Sequence, residues 1–117
     1  MRNISFALTE TQFRARTKTV TRRIGWHTLK AGTLLCGVRK AMGLKPGEKI
    51  VRLGVIRVVN VRTEPLSAIT KEDCAREGFP ELGPVEFIEM FKHHMGCMAF
   101  ETVTRIEFEY VDGEAAR

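Results

Sequence analysis

Between Phe13 and Trp26 the chain reads FRARTKTVTRRIGW, with five cations, Arg14, Arg16, Lys18, Arg22 and Arg23, set among three threonines. Basic side chains and hydroxyls both bond phosphate oxygens. The run closes on the chain's single tryptophan, whose ring face can stack on any nucleobase. Thr17, Thr19, Val20 and Thr21 are β-branched and favour extended backbone, so the segment is a loop or short strand, where binding residues concentrate. The chemistry this points to is recognition of a nucleic acid or nucleotide. Two structural alternatives stand beside it: a solvated charged face, and for Trp26 a large core residue with its N–H paired.

The charge distribution along the chain sharpens the question. Residues 1–63 hold 14 Lys/Arg against 2 Asp/Glu, residues 64–117 hold 5 against 12, and the net charge is +5. One explanation is a surface built for an anionic partner. The other is that two oppositely charged halves of one domain face each other. The length of 117 residues argues for one domain over 1–117, which buries roughly two-thirds of its unfolded surface, with residues 112–117 expected to fray. Cys36, Cys74 and Cys97 are odd in number and lack tight spacing, so no disulfide framework is expected. No apolar run has the length of a signal or membrane segment, and a reducing, cytoplasmic setting follows. His93, His94 and Cys97 cluster in sequence, but neither they nor Cys36 and Cys74 have the paired spacing of a structural zinc site. They read instead as the basic end of a helix. Glycine-rich phosphate loops are absent. No metal or cofactor is called for, and nothing in the pattern sets an oligomeric state.

Elements able to position these residues follow from periodicity. NISFALTETQF gives a short strand and a helix start, with Thr9 and Gln12 at capping-box spacing. GTLLCGVRK is a strand, KPGEK a turn. KIVRLGVIRVVNVRTEPL is the longest strand, apolar on both faces and therefore central, with a bulge or bend at Gly54 and an end at Pro65. TKEDCAREGF is a short helix capped by Thr70 and Asp73 and stopped by Gly78. GPVEFIEMFKHHMG is a second helix that starts at Pro84. Its stripe is Val85, Ile88, Phe91 and Met95, widened by Phe87 and Met90. In VTRIEFEYV, Thr104, Ile106, Phe108 and Tyr110 share the core face, and Arg105, Glu107 and Glu109 the other. The sum is an α+β domain: a small, curved, mostly antiparallel β-barrel with two or three short flanking helices.

RTKTVTRR resembles the signature of the ASCH superfamily of small PUA-like β-barrels, Gly-x-Lys-x-x-Glu-x-Arg, which in one branch carries Thr in place of Glu. Lys18, Thr21 and Arg23 fall on the Lys, Thr and Arg positions. Arg16 stands where the signature has Gly, so a different backbone turn is expected there. The order of elements matches over residues 3–111, and the chain is most similar to the small ASCH proteins of phage and prophage genomes.

The resemblance implies a PUA-like barrel that binds RNA or a modified pyrimidine nucleoside. One Thr-bearing branch is a bacterial N4-acetylcytidine amidohydrolase. Its catalytic Lys, Thr and Glu correspond to Lys18, Thr21 and, at the end of the AREG helix, Glu77, with Arg16, Arg22, Arg23 and Trp26 as candidates for holding substrate. A threonine hydroxyl needs a base to act as nucleophile. A lysine is a base only when its pKa is lowered, which Arg14, Arg16, Arg22 and Arg23 would do as like charges. Lys18 and Thr21 point to opposite faces of a regular strand, so convergence requires a bend. Glu77 at a helix C-terminus is disfavoured as a carboxylate and suited to donate a proton. The alternatives are a non-catalytic RNA-binding module and a host-protein adaptor using the acidic half.

Overall fold

The computed structural model describes residues 1–113. The tail expected to fray lies outside them from residue 114 onward, while Asp112 is bonded to Arg16. The chain runs β1 (Arg2–Ser5), α1 (Glu10–Arg14), β2 (Val20–Arg23), β3 (Leu34–Val38), β4 (Arg52–Pro65), a 3-10 turn (Leu66–Ala68), α2 (Lys71–Arg76), α3 (Pro84–Met95) and β5 (Thr102–Val111). The five strands form one sheet in the order β1-β3-β4-β5-β2. Every neighbouring pair is antiparallel except β1 with β3.

The long β4 is central, as its two-sided apolar pattern predicts, and it ends at Pro65. Two irregularities bend it. Val58 pairs with Phe108 and Asn60 with Glu107, which leaves Val59 as an extra residue turned to solvent. Gly37 pairs with Gly54 and Val38 with Arg52, which puts a second extra residue, Leu53, beside the glycine expected to mark a bend. Bulges increase local twist, and the sheet curls into a half-barrel. Its open edges meet where Arg23 at the end of β2 donates from Nη2 to the carbonyl of Ser5 at the end of β1, 2.6 Å away.

Inside the curl lies one core cluster, built on Phe6, Phe13, Leu35, Ile56, Ile106 and Phe108. A second, built on Leu66, Cys74, Phe87, Phe91, Cys97 and Val103, joins α2 and α3 to the end of the sheet. The stripe on α3 is rotated from the expected one. Phe87 and Phe91 are buried, while Val85 is 70% exposed and Met95 is also largely exposed. The rings at i and i+4 stack at 6.2 Å and bury more apolar area than valine and methionine would.

Two more expectations change. Thr9 makes no side-chain cap bond to α1, because its backbone is not in the extended conformation of a capping residue. Arg105, expected on the polar face of β5, is buried, because α2 covers that face and presents Asp73 to it. Thr70 caps α2 as expected, accepting from the Asp73 N–H at 3.1 Å. The Asp73 carboxylate is engaged by arginines.

Candidate active site

The charge polarity of the sequence resolves internally. Acids of the second half pair with cations of the first: Glu77 with Lys18, Asp73 with Arg22, Glu64 with Arg22 and Arg62, Glu109 with Arg57 and Asp112 with Arg16. The basic run is not one surface. Arg14 lies on α1, bonded to Glu10 at 2.9 Å. Arg16 turns the chain with φ +60°, the left-handed conformation that glycine adopts freely, so the turn expected to differ from the family's is one an arginine occupies in a glycine-like conformation. Its guanidinium lies apart from the candidate site, against Asp112 and Tyr110. Trp26 also has φ +60°, is half-buried, and carries the Arg2 guanidinium 3.7 Å above its ring.

Lys18, Arg22 and Arg23 turn inward. Lys18 lies before β2 begins, in a segment tied down by backbone bonds from Thr19 N to Arg76 O and from Phe108 N to Thr19 O. The Tyr110 hydroxyl donates to the Lys18 carbonyl at 2.6 Å. The strand alternation rule therefore does not govern Lys18. Its side chain is 2% exposed, and its Nζ donates to both Oε1 and the backbone carbonyl of Glu77, each at 2.8 Å. Burial lowers the Lys18 pKa, Glu77 opposes the shift, and the Arg23 and Arg22 charges add to it. Desolvation, more than the basic run, is the main cause.

Glu77 follows the last turn of α2 and is buried. Its Oε2 accepts from Arg22 Nη1 at 3.1 Å, so the carboxylate lies between two cations. That is a different setting from the lone helix terminus suggested by its position. Gly78 at φ +101° turns the chain directly after it, and a Cβ there would lie 2.8 Å from Gln12 Cγ, so glycine suits both the turn and the contact with α1. Thr21, in β2 opposite Ile106, is buried, and its Oγ1 accepts from Arg23 Nε at 3.1 Å. Burial lowers the Arg23 pKa to about 10, still well above neutrality.

Lys18, Thr21 and Glu77 line a single cavity of about 250 Å³. These three are buried and form its floor; Phe79, Phe87 and Phe91 form an aromatic wall; Leu8, His94 and Met95, which are exposed, mark its mouth. Small-molecule sites typically measure ~300–1,000 Å³, so this one suits a nucleobase or nucleoside in size. His94 and His93 pack on each other at the end of α3, and Cys97 is buried in the second core. Sequence reasoning missed the aromatic wall, and it missed Asp73, Glu64 and Arg105 as neighbours of Arg22. The spacing of Asp73 and Glu77, four residues apart on one helical face, is the signal that could have found Asp73.

No protein-family model and no curated protein sequence matches the chain. Solved structures do match its fold, among them the following two. An ASCH domain from Lactobacillus crispatus JV V101 superposes with a TM-score of 0.65 at 11% identity, over 93% of this chain and 78% of that one. A DUF984 protein of Enterococcus faecalis V583 superposes with a TM-score of 0.61 at 17% identity, over 90% and 71%. The chain has an ASCH-like, PUA-like α+β fold. No helix among the described residues is long and apolar enough to cross a membrane.

Proposed function

We propose that this ASCH-fold chain binds a modified pyrimidine nucleoside in the Lys18–Thr21–Glu77 cavity and hydrolyses its N4-acyl amide, with N4-acetylcytidine the reference substrate. The observation that carries this reading is the convergence of those three side chains on one small, aromatic-walled cavity. Thr21 Oγ1 attacks the acyl carbonyl, and Lys18, with its pKa lowered, takes the hydroxyl proton. The N–H of Arg23 already on Oγ1 stabilises negative charge as it develops there. The C–N4 bond breaks, and the proton held between Lys18 and Glu77 passes to the departing exocyclic nitrogen. Water, deprotonated by the same pair, then cleaves the acyl-threonine ester and releases the acid. Phe79, Phe87 and Phe91 provide a face for the base. The setting is a reducing one, cytoplasmic in this reading, consistent with three free cysteines among the described residues.

Recognition of RNA through the basic run has weaker support, because its cations are bonded internally and few remain for phosphate. The test is chromatography of N4-acetylcytidine after incubation with the protein. Lys18→Met, Thr21→Ala and Glu77→Gln should each lower turnover on the order of a hundredfold or more, and non-additively, since they act as one unit. Conversion of no acylated nucleoside by the wild type, or full activity in Thr21→Ala, overturns the mechanism. Steeply salt-dependent binding of single-stranded RNA without conversion would put a binding module in its place.

A further inference from the structure

We infer that Asp73, Arg22 and Arg105 form a buried charge relay behind the cavity, in which Arg22 is a positioning residue that orients Glu77, and Asp73 sets how much of the Arg22 charge reaches Lys18. The inference rests on the proposed reading of Lys18 as base. Arg22 and Arg105 face each other across the β2–β5 pair, so two guanidiniums lie side by side, both buried. Like charges out of water repel strongly unless an anion stands between them. Asp73 supplies it, accepting from Arg22 Nη2 at 2.6 Å and from Arg105 Nε and Nη2 at 2.7 and 2.9 Å. Arg76 adds a bond at 3.0 Å from the exposed side.

Arg22 spans from this cluster to the cavity floor. Its Nη2 also reaches Glu64 at 3.2 Å, and its Nη1 holds Glu77 Oε2. Glu77 thus has one oxygen on Arg22 and the other on Lys18. Arg22 Nε is buried and has no partner among the described residues. A buried donor left unmade is costly, and here the guanidinium is held in that orientation by its two terminal nitrogens on three acids. The charged or titratable groups around the Lys18–Glu77 pair are Arg22 and Arg23 of β2 and Cys74 of α2, with His94 of α3 at the cavity mouth; of the pair itself Tyr110 of β5 touches the Lys18 carbonyl alone, and β1 contributes no titratable group to the cavity. Behind Arg22 stand Glu64 of β4, Asp73 and Arg76 of α2, and Arg105 and Glu107 of β5. Removing a cation from this set tightens the hold on the pair's proton, and removing an anion loosens it.

The experiment follows the Lys18 side-chain carbon resonance with pH in the free protein, identified by its loss in Lys18→Met, alongside the pH–rate profile on N4-acetylcytidine. Arg22→Gln should move the Lys18 transition up by about 1 pH unit, and Asp73→Asn should move it down. Arg22→Lys keeps the charge but loses the fork, so the transition should stay close to that of the wild type while kcat falls about tenfold. Where the buried variants do not fold, exposed Arg76→Gln decides, with a small upward shift expected. Shifts of the same sign in Arg22→Gln and Asp73→Asn, or none in Arg76→Gln, overturn the relay. A wild type that hydrolyses nothing yet shows opposite shifts removes the hydrolase reading and leaves the relay standing. A hydrolytic wild type with immobile transitions does the reverse.

Discussion

Gly37→Ala tests how the interior of the curl is packed. Gly37 of β3 lies opposite Gly54 of β4, and the Phe13 ring rests against the glycine pair. A Cβ on Gly37 would lie 2.6 Å from Phe13 Cζ, 3.0 Å from its Cε2 and 3.2 Å from Phe6 Cε2. Ordinary carbon contacts are ~3.5–4.0 Å, so the ring would have to retreat by about 1 Å. It has nowhere to go: ring centroids of Phe6, Tyr110 and Phe108 stand 4.5, 5.1 and 6.3 Å away. Overpacking of this kind costs ~1–3 kcal/mol, and the stiffer unfolded chain returns at most about 1 kcal/mol. A net loss of about 1–2 kcal/mol lowers Tm by roughly 4–8 °C in a domain of this size. The assay is urea unfolding followed by circular dichroism, with the slope m unchanged. Phe13→Leu should relieve the clash, so the double variant should be less destabilised than the sum of the singles by at least about 0.5 kcal/mol. A Gly37→Ala protein within about 0.5 kcal/mol of the wild type, or strict additivity, would refute the argument.

Lys18→Met should abolish turnover and flatten the rise of Tm as pH climbs toward the unfolded lysine pKa. A lysine whose folded pKa lies below its unfolded value opposes folding while protonated, and that opposition fades as pH rises toward the unfolded value; the variant also leaves Glu77 Oε1 without its Nζ partner, so the pH slope of Tm is the readout, and a slope equal to the wild type's by calorimetry would contradict it. For Asp73 the sign is the opposite. Bonds from Arg105 and then Arg22 hold its carboxyl well below the usual carboxylate range. Its contribution is therefore complete above the unfolded carboxyl pKa and is lost as pH falls toward the folded one. Asp73→Asn should cost about 3 kcal/mol at pH 7 and show a shallower fall of Tm in acid than the wild type. Gly78→Ala should cost ~1–3 kcal/mol through its left-handed backbone and reduce turnover as well, because it displaces the adjacent Glu77; normal turnover in that variant would break the link.

Periodicity located β3, β4, α2 and β5, because each element's burial pattern is written in its own residues. It failed where burial is decided from far away. Arg105 reads as solvent-facing by alternation, and only the docking of α2, whose Asp73 is 32 residues distant, makes it interior. The stripe on α3 is rotated because Phe79 and Val103, outside the helix, reward the rings of Phe87 and Phe91. The basic run looked continuous because neighbours in sequence were taken as neighbours in space. The turn at Arg16 and the pleat of β2 send its members to α1, to Asp112 and to the two faces of the sheet. The candidate triad was visible only through the resemblance, since nothing local to Lys18 announces that Glu77, 59 residues on, will meet its amine.

The strand order carries a consequence for how the protein is made. Among the described residues β2, which bears Thr21, borders only β5, the last strand described. During synthesis β2 leaves the ribosome before β5 and must wait for residues 104–107 before it has an edge to join, whereas β3 and β4 can pair as soon as both have emerged. Contacts so distant in sequence form slowly. The cavity floor is therefore among the last parts to assemble, and a nascent or truncated chain that lacks β5 has no edge on which to build it.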